Sequence, residues 1–139
     1  MTGLEQLRAM LATNAQPAIG RTLDFALVEI AEGKAVFEGN PDARTYNPLG
    51  TVHGGYAATL LDSACGIAVH SRLAEGQSYT TLELKVAYHR AMTANTGMVR
   101  AEGGVLSFGR RVAFAEAQLT DAEGRLLASA TSTLLVITP

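Results

Sequence analysis

The stretch 47–66, NPLGTVHGGYAATLLDSACG, holds the residues best placed to do chemistry. Asp62 sets one carboxylate inside a run, Gly54 to Val69, that is otherwise almost wholly apolar. A lone buried carboxylate costs several kcal/mol unless it is paired or hydrogen-bonded. Asp62 therefore either faces solvent on a polar stripe with Thr59 or is compensated, and a compensated carboxylate beside a pocket can act as a nucleophile or a general base. Upstream, the glycine-bearing loop YNPLGTV leads straight into a helix start, where the first backbone N–H groups lack intrahelical partners. Such an end can hold an anion or polarise a carbonyl oxygen. Gly54 and Gly55 have no side chains, so a ligand atom can reach their amides, although the same glycines would also serve a tight loop-to-helix junction. His53 opens the helix and either orients the loop, contacts a substrate or is simply solvated. Asn47 offers a neutral donor and acceptor, or forms the turn before Pro48.

Helix geometry separates these groups. Nine residues at 100° each make about 900°, so His53 and Asp62 leave the helix from nearly opposite sides, about 13 Å apart along its axis. One chain does not bring them together, and a site that uses both must be built between two subunits. Ser107, Phe108, Gly109, Arg110 and Arg111 join a glycine to two arginines at a strand turn, which is either a grip for a phosphate-bearing ligand or a hairpin with solvated charges.

Competing chemistries lack their residues. There is no G-x-S-x-G elbow, no Walker A lysine and no G-x-G-x-x-G after a strand, and His53, His70 and His89 lack metal-ligand spacing, so no metal is expected. Cys65 lies between Ala64 and Gly66 and reads as a small core residue. A net charge of −2 with no basic cluster and no Trp argues against a nucleic-acid partner. The apolar run is shorter than the roughly 20 residues needed to span a bilayer and carries Asp62 at its centre, so no membrane partner is expected. A single cysteine and an N-terminus, MTGLEQLRAM, without the apolar core of a signal peptide point to a cytoplasmic protein.

The elements that must position these residues follow from periodicity. GLEQLRAMLA repeats apolar positions at Leu4, Leu7, Met10 and Leu11, a short amphipathic helix. From Thr22 the stretch TLDFALVEIAEGKAVFEG predicts two strands with a turn at Glu32 and Gly33. The central helix is expected to end near SRLAEGQ, with Gly76 beyond its last turn. From Ser78 the period is two, which predicts a strand with Leu82, Leu84, Val86 and Tyr88 on one face and Thr81, Glu83 and Lys85 on the other. Three further strands separated by turns at 107–109 and 121–124 suggest an antiparallel meander. Ala113, Ala115 and Ala117 share a face, which lets the Ala- and Gly-rich helix approach closely. The expectation is a single α+β domain over residues 1–139, with a curved antiparallel sheet wrapping one long helix. With 47% hydrophobic and 17% charged residues the chain has more apolar surface than a small monomer hides, so oligomerisation is expected.

With these residues in place, the chain resembles the hotdog-fold acyl-CoA thioesterases, most closely the PaaI-like (phenylacetate-degradation) branch, from about Thr22 to Ile137. N-P-L-G-T-V-H-G-G and the acid eight positions after the first helix glycine carry the resemblance. It implies a hotdog fold of five to six strands, a homodimer with two sites at the interface and often a homotetramer, and an acyl-CoA substrate of aryl or medium-chain type. No cofactor is implied, because coenzyme A is part of the substrate. By position, Asp62 resembles the catalytic carboxylate, the Gly54 amide from the other subunit would polarise the thioester carbonyl, and Asn47 and His53 would place substrate or water. Arg90 and the segment Ser107 to Arg111 resemble those that hold the nucleotide and pantetheine of coenzyme A. Related enzymes of a neighbouring branch carry Glu at the Asp62 position and Ser or Thr four residues later, where this chain has Gly66. The resemblance leaves room for an acyl-thioester hydratase or dehydratase and for a non-catalytic acyl-CoA-binding module.

Overall fold

A computed structural model describes residues 1–139. The N-terminal helix α1 (Gly3–Ala12) is fixed by a capping box, in which the Thr2 hydroxyl accepts from the Glu5 N–H and the Glu5 carboxylate accepts from the Thr2 N–H. Leu7 is buried beneath it. A second short helix, α2 (Ala18–Leu23), takes up Thr22 and Leu23, which were expected to open the first strand. Asp24, in the left-handed region at φ 59°, ends α2 and turns the chain into β1 (Phe25–Ala31). The turn to β2 (Lys34–Gly39) falls at Glu32 and Gly33 as expected, with Gly33 at φ +78°.

The central helix α3 (Gly54–His70) is followed by β3 (Ser78–Tyr88), β4 (Val99–Phe108), β5 (Val112–Asp121) and β6 (Leu126–Ile137). All pairings are antiparallel, and the strand order is β1-β2-β4-β5-β6-β3. The expected meander therefore holds only for β4, β5 and β6. β3 lies at the far edge beside β6, while β4 pairs with β2. The reason is the connection over residues 89–98, which crosses the end of the sheet where neighbouring strands would need only a tight turn.

Inside the curve of the sheet, α3 buries Leu60, Leu61, Ala64, Cys65, Ala68 and Val69. Ala101, Ala113, Ala115 and Ala117 face it and are fully or almost fully buried. A Cβ at Gly103 would collide with the Ala64 carbonyl, so β4 and α3 approach backbone to backbone and only glycine fits at that point. α3 ends at His70 with Ser71 as its cap, and Gly76, at φ +83°, follows in the next turn. No helix is long and apolar enough to cross a membrane.

One local feature of β3 bears directly on the site. Its register with β6 shifts between Thr81 and Glu83, a β-bulge that interrupts the alternation of faces. Leu82 is consequently 55% exposed, whereas Thr81 joins Tyr79, Leu84 and Val86 among the partly buried residues. The expected grouping of Leu82 with Leu84 and Val86, and of Thr81 with Glu83 and Lys85, is thus broken at the bulge.

Candidate active site

The loop that feeds α3 is held by its own polar groups. The Asn47 Oδ1 accepts from the Leu49 and Thr51 N–H groups, and its Nδ2 donates to the Thr51 Oγ1 at 2.9 Å. Asn47 is therefore the organiser of this turn, and Leu49 at its tip is 87% exposed. A bridge between Tyr46 and Val52 closes the loop, and Val52 N–H donates to the Met92 carbonyl, tying it to the segment after β3.

His53 is the N-cap of α3. Its Nδ1 accepts from the Gly55 N–H at 2.8 Å, which takes one of the orphan donors of the helix end and leaves the proton of a neutral ring on Nε2. The Tyr56 N–H bonds to the His53 carbonyl, whereas the Gly54 N–H has no partner in the chain. The Tyr88 hydroxyl donates to the Gly54 carbonyl at 2.8 Å, and a Cβ at Gly54 would lie 3.0 Å from the Tyr88 ring. Glycine at position 54 thus lets Tyr88 approach closely, and a larger residue there would press on its ring.

Asn47, His53, Gly54, Gly55 and Arg90 line one cleft of about 460 Å³, together with Tyr88 and Met92. Asp62 lies elsewhere. It is half-buried in a separate cavity of about 210 Å³ between α3, β3 and the start of α2, and its Oδ1 accepts from the Thr81 hydroxyl at 3.1 Å. The carboxylate is therefore compensated by Thr81 and does not lie on a solvent stripe. Thr59 bonds back to the Gly55 carbonyl instead. Burial, with the Asp62 and Glu116 charges behind it, pushes the Cys65 thiol up to about 12, which makes it an inert core residue.

The arginine-bearing turn lies at the other end of the sheet. Val112 pairs with Leu135, near the end of β6, and the Arg111 carbonyl accepts from the Val136 N–H, whereas Gly54 sits by Tyr88, Leu127 and Ala128. A strand of ten residues, about 33 Å, separates the two ends. Ser107, Gly109, Arg110 and Arg111 are exposed there, and Phe108 is half-buried under the Arg72 guanidinium, 5.2 Å from its ring centroid. Within one chain the structure brings together Asn47, His53, Gly54, Gly55 and Arg90, and leaves Asp62 and the 107–111 turn apart from them. Thr81, Tyr88 and Tyr79, which the sequence reading did not select, complete the walls. Alternation alone hides Thr81, because a bulge leaves no mark in residue type.

A six-stranded sheet around a central helix, with a capped and glycine-lined helix N-terminus and a carboxylate farther along that helix, defines the hotdog class. Residues 49–128, more than half of the chain, match the thioesterase superfamily, and the chain belongs to that family. It is 36% identical over 84 residues to the proofreading thioesterase EntH of Klebsiella pneumoniae, a match spanning 60% of each protein and thus less than two thirds of that relative's length. It is 26% identical over 115 residues to the 1,4-dihydroxy-2-naphthoyl-CoA hydrolase of Listeria monocytogenes, covering 83% of this chain and 92% of that one. Among solved structures, a variant of the phenylacetic acid degradation protein PaaI from Thermus thermophilus is similar with a TM-score of 0.77 and 29% identity, covering 86% of this chain and 98% of that one.

Proposed function

We propose that the protein is a cytoplasmic acyl-CoA thioesterase of the PaaI-like branch, hydrolysing an aryl or medium-chain acyl-CoA to the free acid and coenzyme A. The observation that carries the reading is Asp62, a helix carboxylate held by Thr81 and open to a cavity. The unpartnered Gly54 N–H at the positive end of α3 supplies the complementary group, a fixed donor for the oxygen of a thioester carbonyl. As charge develops on that oxygen, the donor stabilises it. Asp62 then acts either as general base, taking a proton from the attacking water and passing it to the departing sulfur, or as the nucleophile whose acyl anhydride a water then hydrolyses to the free acid and the carboxylate. In both routes the C–S bond breaks and coenzyme A leaves as the thiol, its proton coming ultimately from the water.

The two groups open on different clefts of one chain, so a second copy completes each site: Gly54 with Asn47 and His53 from one protomer, Asp62 with Thr81 from its partner. β3 supports this assembly, because it is an edge strand of 11 residues with its outer side unpaired. Pairing of dimers through the outer sheet face, where Phe114 and Leu106 are exposed, would make the homotetramer. Arg90, at the rim of the Gly54 cleft, and the 107–111 turn hold the phosphates and pantetheine of coenzyme A in this reading.

The test is thiol release from benzoyl-CoA and hexanoyl-CoA by the wild type and by Asp62→Asn. Removing the charge while keeping the shape is expected to slow turnover by roughly 10²-fold or more with the fold intact by circular dichroism. Turnover near that of the wild type in the folded variant overturns the assignment.

A further inference from the structure

Tyr79 takes the space that a side chain at position 66 would fill. A Cβ built on Gly66 would lie 3.2 Å from the Tyr79 Cε2 and 3.3 Å from its hydroxyl, so the far end of the ring rests on α3 one turn beyond Asp62. The ring also packs against His70, one turn farther along α3, with centroids 5.6 Å apart. Tyr79, Gly66, Asp62 and Thr81 all line the same cavity, whose remaining wall is mainly apolar, with Pro17, Ile19, Phe25, Phe37 and Ile67.

The hydrogen bonds divide the polar groups of this wall. Asp62 and Thr81 are bonded to each other, while the hydroxyls of Tyr79 and Ser63 have no partner in the chain. Ser63 sits on the helix beside Asp62, but Tyr79 reaches across from the sheet and closes the gap between β3 and α3. At about 210 Å³ the cavity falls below the roughly 300–1,000 Å³ of pockets that enclose drug-sized ligands, so it suits one compact group, such as a single ring or a short chain. Burial, with the Asp62 charge as a second cause, raises the Tyr79 hydroxyl above its ordinary range, which keeps its proton in place.

We infer that Tyr79 is a specificity-determining residue: its hydroxyl, set against Gly66 in the wall of the cavity that Asp62 also lines, selects acyl groups that carry a hydrogen-bonding substituent on a compact ring or chain. The inference rests on the thioesterase reading for its substrate but not for its binding geometry. A polar group at the end of an apolar pocket discriminates because an acyl group without a matching substituent leaves it unpaired. A substituent that accepts from or donates to the phenol satisfies both partners.

The experiment compares benzoyl-CoA with its three ring-hydroxylated isomers, which differ from it by one hydroxyl. kcat/KM is measured for the wild type, Tyr79→Phe and Ser63→Ala, and Kd is measured for the same thioesters with these substitutions placed on Asp62→Asn. At least one hydroxylated isomer should be preferred over benzoyl-CoA by roughly tenfold in the wild type, in line with one buried hydrogen bond. Tyr79→Phe should bring that ratio close to one in both kcat/KM and Kd, while Ser63→Ala should keep it. Absence of any preference in the wild type, its persistence in Tyr79→Phe or its loss in Ser63→Ala overturns the inference. A Tyr79-dependent preference in Kd without thiol release by the wild type would sustain the role of Tyr79 and sink the thioesterase reading. Thiol release without a Tyr79-dependent preference would do the reverse.

Discussion

The Tyr56 hydroxyl, on the first turn of α3, is buried and has no hydrogen-bond partner in the chain. It lies over Gly39, where a Cβ would collide with it. Burial, followed by the Asp24 and Asp42 charges, pushes this phenol well above the usual tyrosine range. An unpaired buried hydroxyl costs about 1–3 kcal/mol, so Tyr56→Phe should raise the stability of the protein by about 1 kcal/mol in urea unfolding. A loss of that size would show that the hydroxyl has a bound water as partner. At this scale the sequence was legible where residue type is itself unusual. Asp62 stands out because a carboxylate seldom sits in an apolar helix, and Gly54 because two glycines open that helix. Thr81, Tyr79 and Tyr88 carry no such mark. Their roles depend on a bulge, on the absence of a side chain at Gly66, and on a backbone carbonyl at Gly54, and each of these is a relation between distant segments.

Contact between α3 and the sheet depends on which glycine of a consecutive pair faces inward. Gly103 and Gly104 are neighbours in β4 and point to opposite faces. A Cβ at Gly103 would strike the Ala64 carbonyl, whereas one at Gly104 would find only the Gly33 carbonyl, 4.0 Å away. Overpacking a tight core costs about 1–3 kcal/mol or more, because the backbone of α3 must move away from β4. Gly103→Ala is accordingly expected to lower the melting temperature by several degrees, while Gly104→Ala should leave it nearly unchanged or raise it slightly. Equal effects of the two would mean that the helix is not seated where the structure places it. The close approach was readable in part, since Ala113, Ala115 and Ala117 fall on one face by alternation and all three are buried. The position of β3 was not. Turn signals report which strands are joined by short loops, and β3 has none: residues 71–77 link it to the helix, and residues 89–98 carry the chain across the end of the sheet. Its partner β6 is the last strand of the chain, so that pairing is set by non-local packing.

At the scale of the whole molecule, the residues of the proposed site lie in two separate clefts. One cleft holds the free Gly54 N–H and the Asn47 turn, the other holds Asp62 and Thr81, and in the proposed dimer each faces its complement across β3. Exposed Leu82 and Tyr88 on that strand, and Leu49 at the tip of the Asn47 loop, are apolar groups a second copy would cover. Asn47→Ala removes the three hydrogen bonds that shape the loop before Gly54, and Asp62→Asn removes the carboxylate, so each homodimer should contain two damaged sites. In a mixed dimer, one site collects both substitutions and the other collects neither. Random assembly of equal amounts gives about half mixed dimers, and total turnover should recover to roughly a quarter of the wild type. Co-expression with two different tags isolates the mixed species, which should approach about half of wild-type thiol release per dimer. Each homodimer must first be severely impaired, because the recovered activity is measured against that floor. Dilution below the dimer dissociation constant should abolish the recovery along with wild-type activity, since both need two chains. Mixed dimers as inactive as their parents would place Asn47 and Asp62 in the site of one chain, and the half-sites would then have to be joined by a movement of α3 rather than by a second copy.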